Sequence, residues 1–264
     1  MLHQIVALGQ KGGSAKTTTA ILTISAALDA GLDIGVIEVE TEPKIEAQLT
    51  GYKDRLQHGL HFFAQSNVSK AYDEIVADPL YSVEVWDGPR KLMETGSFVM
   101  DTGAAADAAF LGYARSGAGK RALGSGEKLA FLLPFTETPN AAGFQCKLAN
   151  ELRQMLPEAK IFLVGVGIGE ITATQVQKLN EKKIGAQVLR LPKCMAPLFD
   201  SLMLHDGLIT LLAAHSDASL TDQIAARHSL SDVKAGNNIE MISQWAAVSQ
   251  AALAPVVKTL LPVR

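Results

Sequence analysis

The chain has 264 residues, 48% hydrophobic and 19% charged, enough apolar material for one large core or two small ones, which excludes intrinsic disorder and fibrous repeats. Lys and Arg number 24 against 27 Asp and Glu, a net charge of -3, so nucleic-acid contact could only come from a local patch, not from bulk positive charge. Cys146 and Cys194 are too few for a disulfide scaffold or a four-thiolate metal site, and with Met1 to Leu8 lacking an export signature and no apolar run near the ~20 residues of a spanning helix, a cytoplasmic protein is expected.

In chain order, the apolar run Ile5 to Leu8 gives way to the glycine-rich stretch Gly9 to Ala15. Lys16-Thr17-Thr18-Thr19-Ala20 then leads into an Ala/Leu/Ile segment that stops at Gly31. This order predicts strand, loop, helix. A second apolar run, Ile34 to Val39, is followed by a helical stretch, and Ser97 to Met100 runs into Asp101-Thr102-Gly103. Further runs cover Leu129 to Leu133, Ile161 to Val166 and Val188 to Leu191. Strands apolar at every position belong to a sheet buried on both faces, so the expected fold class is α/β, a mostly parallel twisted sheet with helices on both faces in three layers. Without a Pro- or Ser-rich linker or a repeat, residues 1–264 are read as one domain. Ser116 to Gly126 reads as a mobile surface loop, and beyond about Ser219 the pattern is helical, suited to closing the sheet or docking a partner.

Successive backbone N–H groups in a glycine loop, followed by the positive end of a helix, make a concave anion site. A lysine there neutralises phosphate oxygens, and the hydroxyl after it binds Mg2+. Gly12, Gly13, Lys16 and Thr17 stand where that chemistry needs them. The strict spacing G-x-x-x-x-G-K-[ST] fails twice, because Gln10 and Ala15 fill its glycine positions. If Ala15 has to adopt positive φ, its Cβ costs about 1–2 kcal/mol; at negative φ alanine is tolerated.

The string Gln10-Lys11-Gly12-Gly13-Ser14-Ala15-Lys16-Thr17-Thr18-Thr19-Ala20 resembles the deviant Walker A loop of the ParA/MinD family of dimerising P-loop ATPases, of the SIMIBI class. Phe98-Val99-Met100-Asp101-Thr102-Gly103 is similar to that family's Walker B strand and switch. Leu191-Pro192-Lys193, with Leu198-Phe199-Asp200 and Gly207, is similar to the segment bordering adenine. The likeness runs in order from about residue 4 to 212, specific in the loop and diffuse elsewhere. It implies a P-loop NTPase fold, ATP or ADP with Mg2+ as cofactors, and a homodimer that forms with ATP and meets a protein partner, in plasmid partition or conjugative transfer. It further implies nucleotide contacts from Lys11, Gly12, Gly13, Ser14, Ala15, Lys16, Thr17, Thr18 and Pro192, metal contacts from Thr17 and Asp101, and catalytic roles for Lys11, Lys16 and Glu40, Lys11 reaching the partner's nucleotide.

The sequence departs from the family at the end of the second strand, where two aspartates are usual and Glu38 and Glu40 stand here, each one methylene longer. An error of ~1 Å in placing the group that orients water can cost ~100-fold in rate, so binding is the firmer expectation and hydrolysis the weaker one. Glu40, beside Glu38 and Glu42, also suits a solvated acidic strand end, and Asp101 a helix N-cap. The switch lacks the prolines common in partition ATPases. Two alternatives follow: a nucleotide-binding interaction module with little or no hydrolysis, and a P-loop transferase or ligase such as the dethiobiotin synthetases, which lack the counterpart of Lys11.

Other signals carry less. His58 and His61, three apart, read as a surface pair on one helical face, with no third metal ligand near. The cysteines do not fit the iron–sulfur pattern of the nitrogenase iron proteins, which resemble this family. Gly117-Ala118-Gly119-Lys120 imitates a phosphate loop but follows no strand. Lys178, Lys182, Lys183, Arg190 and Lys193 form the densest cationic cluster, with Glu181 interspersed, and read as a solvated face giving DNA contact little support. Between Asn238 and Arg264 the only cations are Lys258 and Arg264, and Pro255 and Pro262 interrupt helicity, so membrane anchoring is not expected.

Overall fold

The computed structural model describes residues 2–9, 15–49, 53–65, 72–138 and 140–261. Its strands are β1 (Gln4–Ala7), β2 (Gly35–Glu40), β3 (Leu60–Ala64), β4 (Phe98–Thr102), β5 (Leu129–Phe135), β6 (Lys160–Val166) and β7 (Gln187–Leu191). They form one sheet in the order β3-β2-β4-β1-β5-β6-β7, and every recorded pairing is parallel. Parallel neighbours need crossovers, and the helices supply them: α1 (Lys16–Asp29), α2 (Ile45–Gln48), α3 (Tyr72–Val76), α4 (Pro79–Met93), α5 (Ala104–Arg115), α6 (Gly117–Leu123), α7 (Ala141–Met155) and α8 (Glu170–Lys183). After β7 the chain is helical: α9 (Phe199–His205), α10 (Leu208–Ala214), α11 (Ala218–Arg227) and α12 (Asp232–Val257).

The strands are apolar throughout because each face of the sheet meets its own helical layer. Ile5, Ala7, Val36, Val99, Leu132 and Val164 pack on one face with α1, α2 and the helices from α9 onward. Val6, Leu8, Ile37, Met100, Phe131 and Leu163 pack on the other with α3 to α8. The alternation is the pleat itself: neighbouring residues of one strand point to opposite layers. This is the expected three-layer α/β fold. Helix α12 lies along α1 and β7, with Gln250 Nε2 donating to Ser25 Oγ at 2.9 Å.

Several expectations need correction. Ser116 to Gly126 is not a mobile loop. Most of it is α6, started by Ser116, whose hydroxyl accepts the Gly119 N–H at 2.9 Å. Gly119 answers packing: a Cβ there would fall 1.8 Å from the Tyr113 carbonyl oxygen, so only glycine lets α6 fold back on α5. The stretch between β2 and β4 holds a strand, β3, as well as helices. His61 is therefore on a strand rather than a helical face, and it and His58 are half-buried, with ring centroids 6.0 and 5.8 Å from that of Phe98. Pro255 does not interrupt a helix but sits in the last turn of α12. Among the described residues no helix is long and apolar enough to cross a membrane, and no group of three or more His, Cys, Asp or Glu is placed to hold a metal.

Candidate functional site

In a parallel sheet, ligands gather at the carboxyl ends of the strands, where loops leave for the helices. Strand β1 lies at the centre, with β4 on one side and β5 on the other, so Leu8 and Gly9 leave the sheet at the middle of that edge. Gln10, Lys11, Gly12, Gly13 and Ser14 lie outside the described residues, and the expectations placed on them stay with the sequence. The description resumes at Ala15, which precedes α1 with φ 61° and ψ 27°, the left-handed region. The conditional cost anticipated for its Cβ is therefore incurred. Among the described residues no side chain accepts from the first N–H groups of α1, and its first turn holds no acid, so no internal anion is recorded at its positive end.

Lys16, the first residue of α1, turns back toward the end of β1. Its Nζ donates to the Gly9 carbonyl at 2.8 Å and to Asp107 Oδ2 at 2.6 Å. Thr17 Oγ1 donates to Asp101 Oδ2 at 2.6 Å. Asp101, at the end of β4, is 4% exposed, and its other oxygen, Oδ1, is buried without a hydrogen-bond partner among the described residues. Burial pushes its carboxyl up to about 6, against the pull of the Thr17 hydroxyl and the Lys16 charge. A buried carboxylate oxygen with nothing to accept from, next to a threonine hydroxyl, is a pair of hard oxygen donors that suits Mg2+. Asp101 is thus not a helix N-cap; Gly103 caps α5.

The two glutamates of β2 divide. Glu38 is buried, and its carboxylate accepts the Lys44 N–H at 2.6 Å and the Ile45 N–H at 3.2 Å, which caps α2 from inside the fold. Burial raises its carboxyl to about 7; the two N–H groups oppose that, and the neighbouring Asp101 and Glu40 reinforce it. Glu38 and Asp101 are register partners across β2 and β4. Glu40 is half-buried. Its Oε1 accepts the Thr41 N–H at 3.0 Å, and its Oε2 pairs with Lys44 Nζ at 2.7 Å. Burial pushes the Glu40 carboxyl up, but Lys44, the Thr41 N–H and the Lys16 charge together hold it below the ordinary glutamate range. A carboxylate so held is a poor proton acceptor but a fixed hydrogen-bond acceptor, the property needed to orient water. It lies over Gly103, where an added Cβ would fall 2.5 Å from Glu40 Oε1.

Asp107, in the first turn of α5, escaped the sequence reading. It is 1% exposed. Its Oδ2 accepts the Gly9 N–H at 2.9 Å as well as Lys16, and its Oδ1 meets Thr102 Oγ1. The missed signal is an acid set among Ala104, Ala105, Ala106, Ala108 and Ala109: a charge on a helix without a polar face is buried, and a buried charge has a partner. Helix α4 fixes that turn from behind, with Trp86 Nε1 donating to the Ala106 carbonyl at 3.2 Å.

Pro192 follows β7, at the far side of the sheet from β2, and its carbonyl accepts Trp245 Nε1 from α12 at 2.8 Å. With Gly167, Ile168, Arg190, Leu191 and Lys193 it lines an open cavity of about 370 Å3. The cationic cluster is partly neutralised, since Arg190 pairs with Glu170 at 2.7 Å.

Seven parallel strands between two helical layers, with a lysine and a hydroxyl opening the helix after the central strand and an acid ending its neighbour, make up the P-loop NTPase architecture. No family model matches the sequence, and no curated protein does. Among solved structures the chain is similar to apo McdA from Cyanothece, at 10% identity over 92% of this chain and 99% of that one, with a TM-score of 0.50. It is also similar to the MinD cell division protein of Aquifex aeolicus, at 11% identity over 99% of this chain and 100% of that one, TM-score 0.48. A third is cobyrinic acid a,c-diamide synthase from Mycobacterium smegmatis, solved with ADP and magnesium, at 13% identity over 83% and 97%, TM-score 0.45. At such identities the likeness to McdA establishes the fold alone.

Proposed function

We propose that this chain is a nucleotide-dependent switch of the ParA/MinD kind, which binds ATP or ADP with Mg2+ through the loop at residues 11–18 and forms a homodimer in the ATP state. The observation that carries the reading is the Thr17 hydroxyl on Asp101 with the second Asp101 oxygen buried and unpaired among the described residues. Lys16 serves the β- and γ-phosphates, Thr17 and Asp101 hold the metal, Pro192 borders the base, and Lys11 reaches the nucleotide of the facing subunit. Bound Mg2+ would neutralise phosphate charge. Glu40 orients the attacking water, and its ion pair with Lys44 favours slow turnover, which keeps the low-hydrolysis interaction module as the second reading. The dimer then presents a changed surface to a protein partner, in plasmid partition or conjugative transfer. A small-molecule ligase is disfavoured by Lys11.

Sedimentation with and without ATP, beside a Mg2+-dependent ATPase assay, separates these readings. Turnover with ATP-induced dimers supports the switch, dimers without turnover the silent module, and a monomer that consumes ATP only with an added metabolite the ligase. Lys11→Ala is expected to abolish the dimer or its turnover while sparing nucleotide affinity, whereas Lys16→Ala loses about 100-fold in affinity, the scale of a charge-assisted phosphate contact. Equal loss of affinity in both variants would sink the role of Lys11 across the interface.

A further inference from the structure

We propose that Asp107 is a resident counter-ion which a nucleotide phosphate must displace from Lys16, and that it takes up a proton when Lys16 leaves. The inference rests on the nucleotide-binding reading above and concerns a residue that reading does not use.

Three contacts define the geometry. Asp107 Oδ2 accepts from Gly9 N–H at 2.9 Å and from Lys16 Nζ at 2.6 Å, while Oδ1 meets Thr102 Oγ1. Lys16 is its charged neighbour within hydrogen-bond reach. The helices packed on α5 meet this layer through apolar side chains such as Ile75, Trp86 and Leu148. The other titratable groups at this edge, Glu38, Glu40 and Asp101, lie at the odd-and-even register that points to the α1 face of the sheet, with Lys44 beyond them. When phosphate oxygens attract Lys16, a carboxylate that is 1% exposed is left without a cation. A buried charge without a partner is replaced by its neutral form.

The hydrogen bonds are already arranged for that form. Thr102 Oγ1 lies 2.5 Å from the Ala7 carbonyl and also against Asp107 Oδ1, and a hydroxyl has one proton for these two acceptors. A proton drawn from solvent onto Oδ1 resolves the conflict: Asp107 then donates to Thr102, Thr102 donates to Ala7, and Oδ2 keeps the Gly9 N–H. Burial, opposed by Lys16, already raises the Asp107 carboxyl to about 6, and loss of Lys16 raises it further. Phosphate binding thus consumes a proton near neutral pH, and affinity falls as pH rises above about 6, with a limit of tenfold per pH unit.

Asp107→Asn isolates the effect. The amide oxygen can keep the Gly9 N–H, and the amide nitrogen donates to Thr102, so only the ion pair is lost. The probe is ADP in EDTA, which leaves the metal site out of the measurement. By calorimetry at pH 8, Asp107→Asn is expected to bind ADP at least tenfold more tightly than the parent chain. Its affinity should change between pH 7 and 8 by several-fold less than the parent's. In the parent, titrations in two buffers of different ionisation enthalpy should show net proton uptake, a readout that does not depend on the variant folding. Equal affinity and equal pH slope in the two chains, or no uptake by the parent, overturns the inference while leaving nucleotide binding intact. Failure of the parent to bind ADP at millimolar concentration instead overturns the reading on which it rests.

Discussion

Helices α1 and α8 both start at the carboxyl edge of the sheet, and their first turns are treated in opposite ways. At α8 the carboxylate of Glu137 accepts the Gly169 N–H at 2.8 Å and the Thr172 hydroxyl at 2.5 Å, so a side chain of the same fold fills the positive end of the helix. At α1 no side chain among the described residues accepts from the first-turn N–H groups; the nearest acids, Asp107 and Asp101, are instead taken up by the Lys16 ammonium and the Thr17 hydroxyl. Glu38 performs for α2 what Glu137 performs for α8. The same helix-end physics that stabilises two crossovers from within meets no side-chain acceptor among the described residues at the third, where we propose that a phosphate binds. Two helix starts are closed from within, and the third is the one to which we assign chemistry.

The sharpest way to break that contrast is to disturb the chemical end without touching the loop. Gly103→Ala puts a methyl group where the Glu40 carboxylate now lies, 2.5 Å from its Oε1. The Glu40 carboxylate then has to shift by about 1 Å to reach ordinary van der Waals contact. ATP turnover is expected to fall by about 10- to 100-fold, since a ~1 Å displacement of a positioning group costs on that order. Nucleotide affinity should stay within about threefold, because Lys16, Thr17 and Asp101 are untouched. Steady-state kinetics beside an equilibrium titration checks this, and unchanged kcat would remove Glu40 from the reaction.

A second test uses pH, because the two capping glutamates titrate in opposite senses. The Glu38 carboxyl is raised to about 7, so between the unfolded value near 4.5 and that point the native state holds a proton the unfolded chain has lost. Stability therefore falls as pH rises through this window, by about 1–2 kcal/mol from this residue. Glu137 is held below the ordinary range by the Thr172 hydroxyl and the Gly169 N–H, so its contribution is present at neutral pH and lost as pH falls into the acid range. Urea denaturation across pH 4 to 8 should show Glu38→Gln flattening the neutral limb and Glu137→Gln the acid limb. Asp101 and Asp107 share the sign of Glu38 and leave part of the neutral slope in place. The reverse assignment of limbs would mean the burial of these groups has been misread.

What was legible in the sequence follows the same division. Uninterrupted apolar runs announced the doubly covered sheet, and an acid ending one of them announced Asp101, because both signals are local. β3 was not legible: Leu60-His61-Phe62-Phe63-Ala64 is short, stands at the sheet edge and is half exposed, so it lacks the continuous apolar signature of the inner strands. The α6 segment read as a loop because the cause of Gly119 is the carbonyl of Tyr113 on the preceding helix, a close approach set by the turn between the two helices and not by residue type. Asp107 needed the fold as well, since its partners Gly9 and Lys16 are more than ninety residues away. Glu38 and Glu40 were equivalent in the sequence. Their separation into a helix cap and a half-buried carboxylate paired with Lys44 comes from where α2 begins.

The smallest expected effect bears on the start of α1 itself. Ala15 holds φ at 61°, a conformation in which Cβ crowds the following carbonyl at a cost of about 1–2 kcal/mol. Glycine removes that strain but gives the unfolded chain more freedom, worth about 0.4–1 kcal/mol in the other direction. Ala15→Gly should therefore stabilise the protein by about 0.5–1 kcal/mol, seen as a higher urea midpoint at unchanged slope. Because Ala15 has no side-chain polar group and its carbonyl already accepts the Thr19 N–H at 2.9 Å, the substitution leaves every hydrogen bond of the first turn in place. A loss of stability would mean that this residue is not held in the left-handed region, against the start of α1 from which Lys16 turns back toward Gly9.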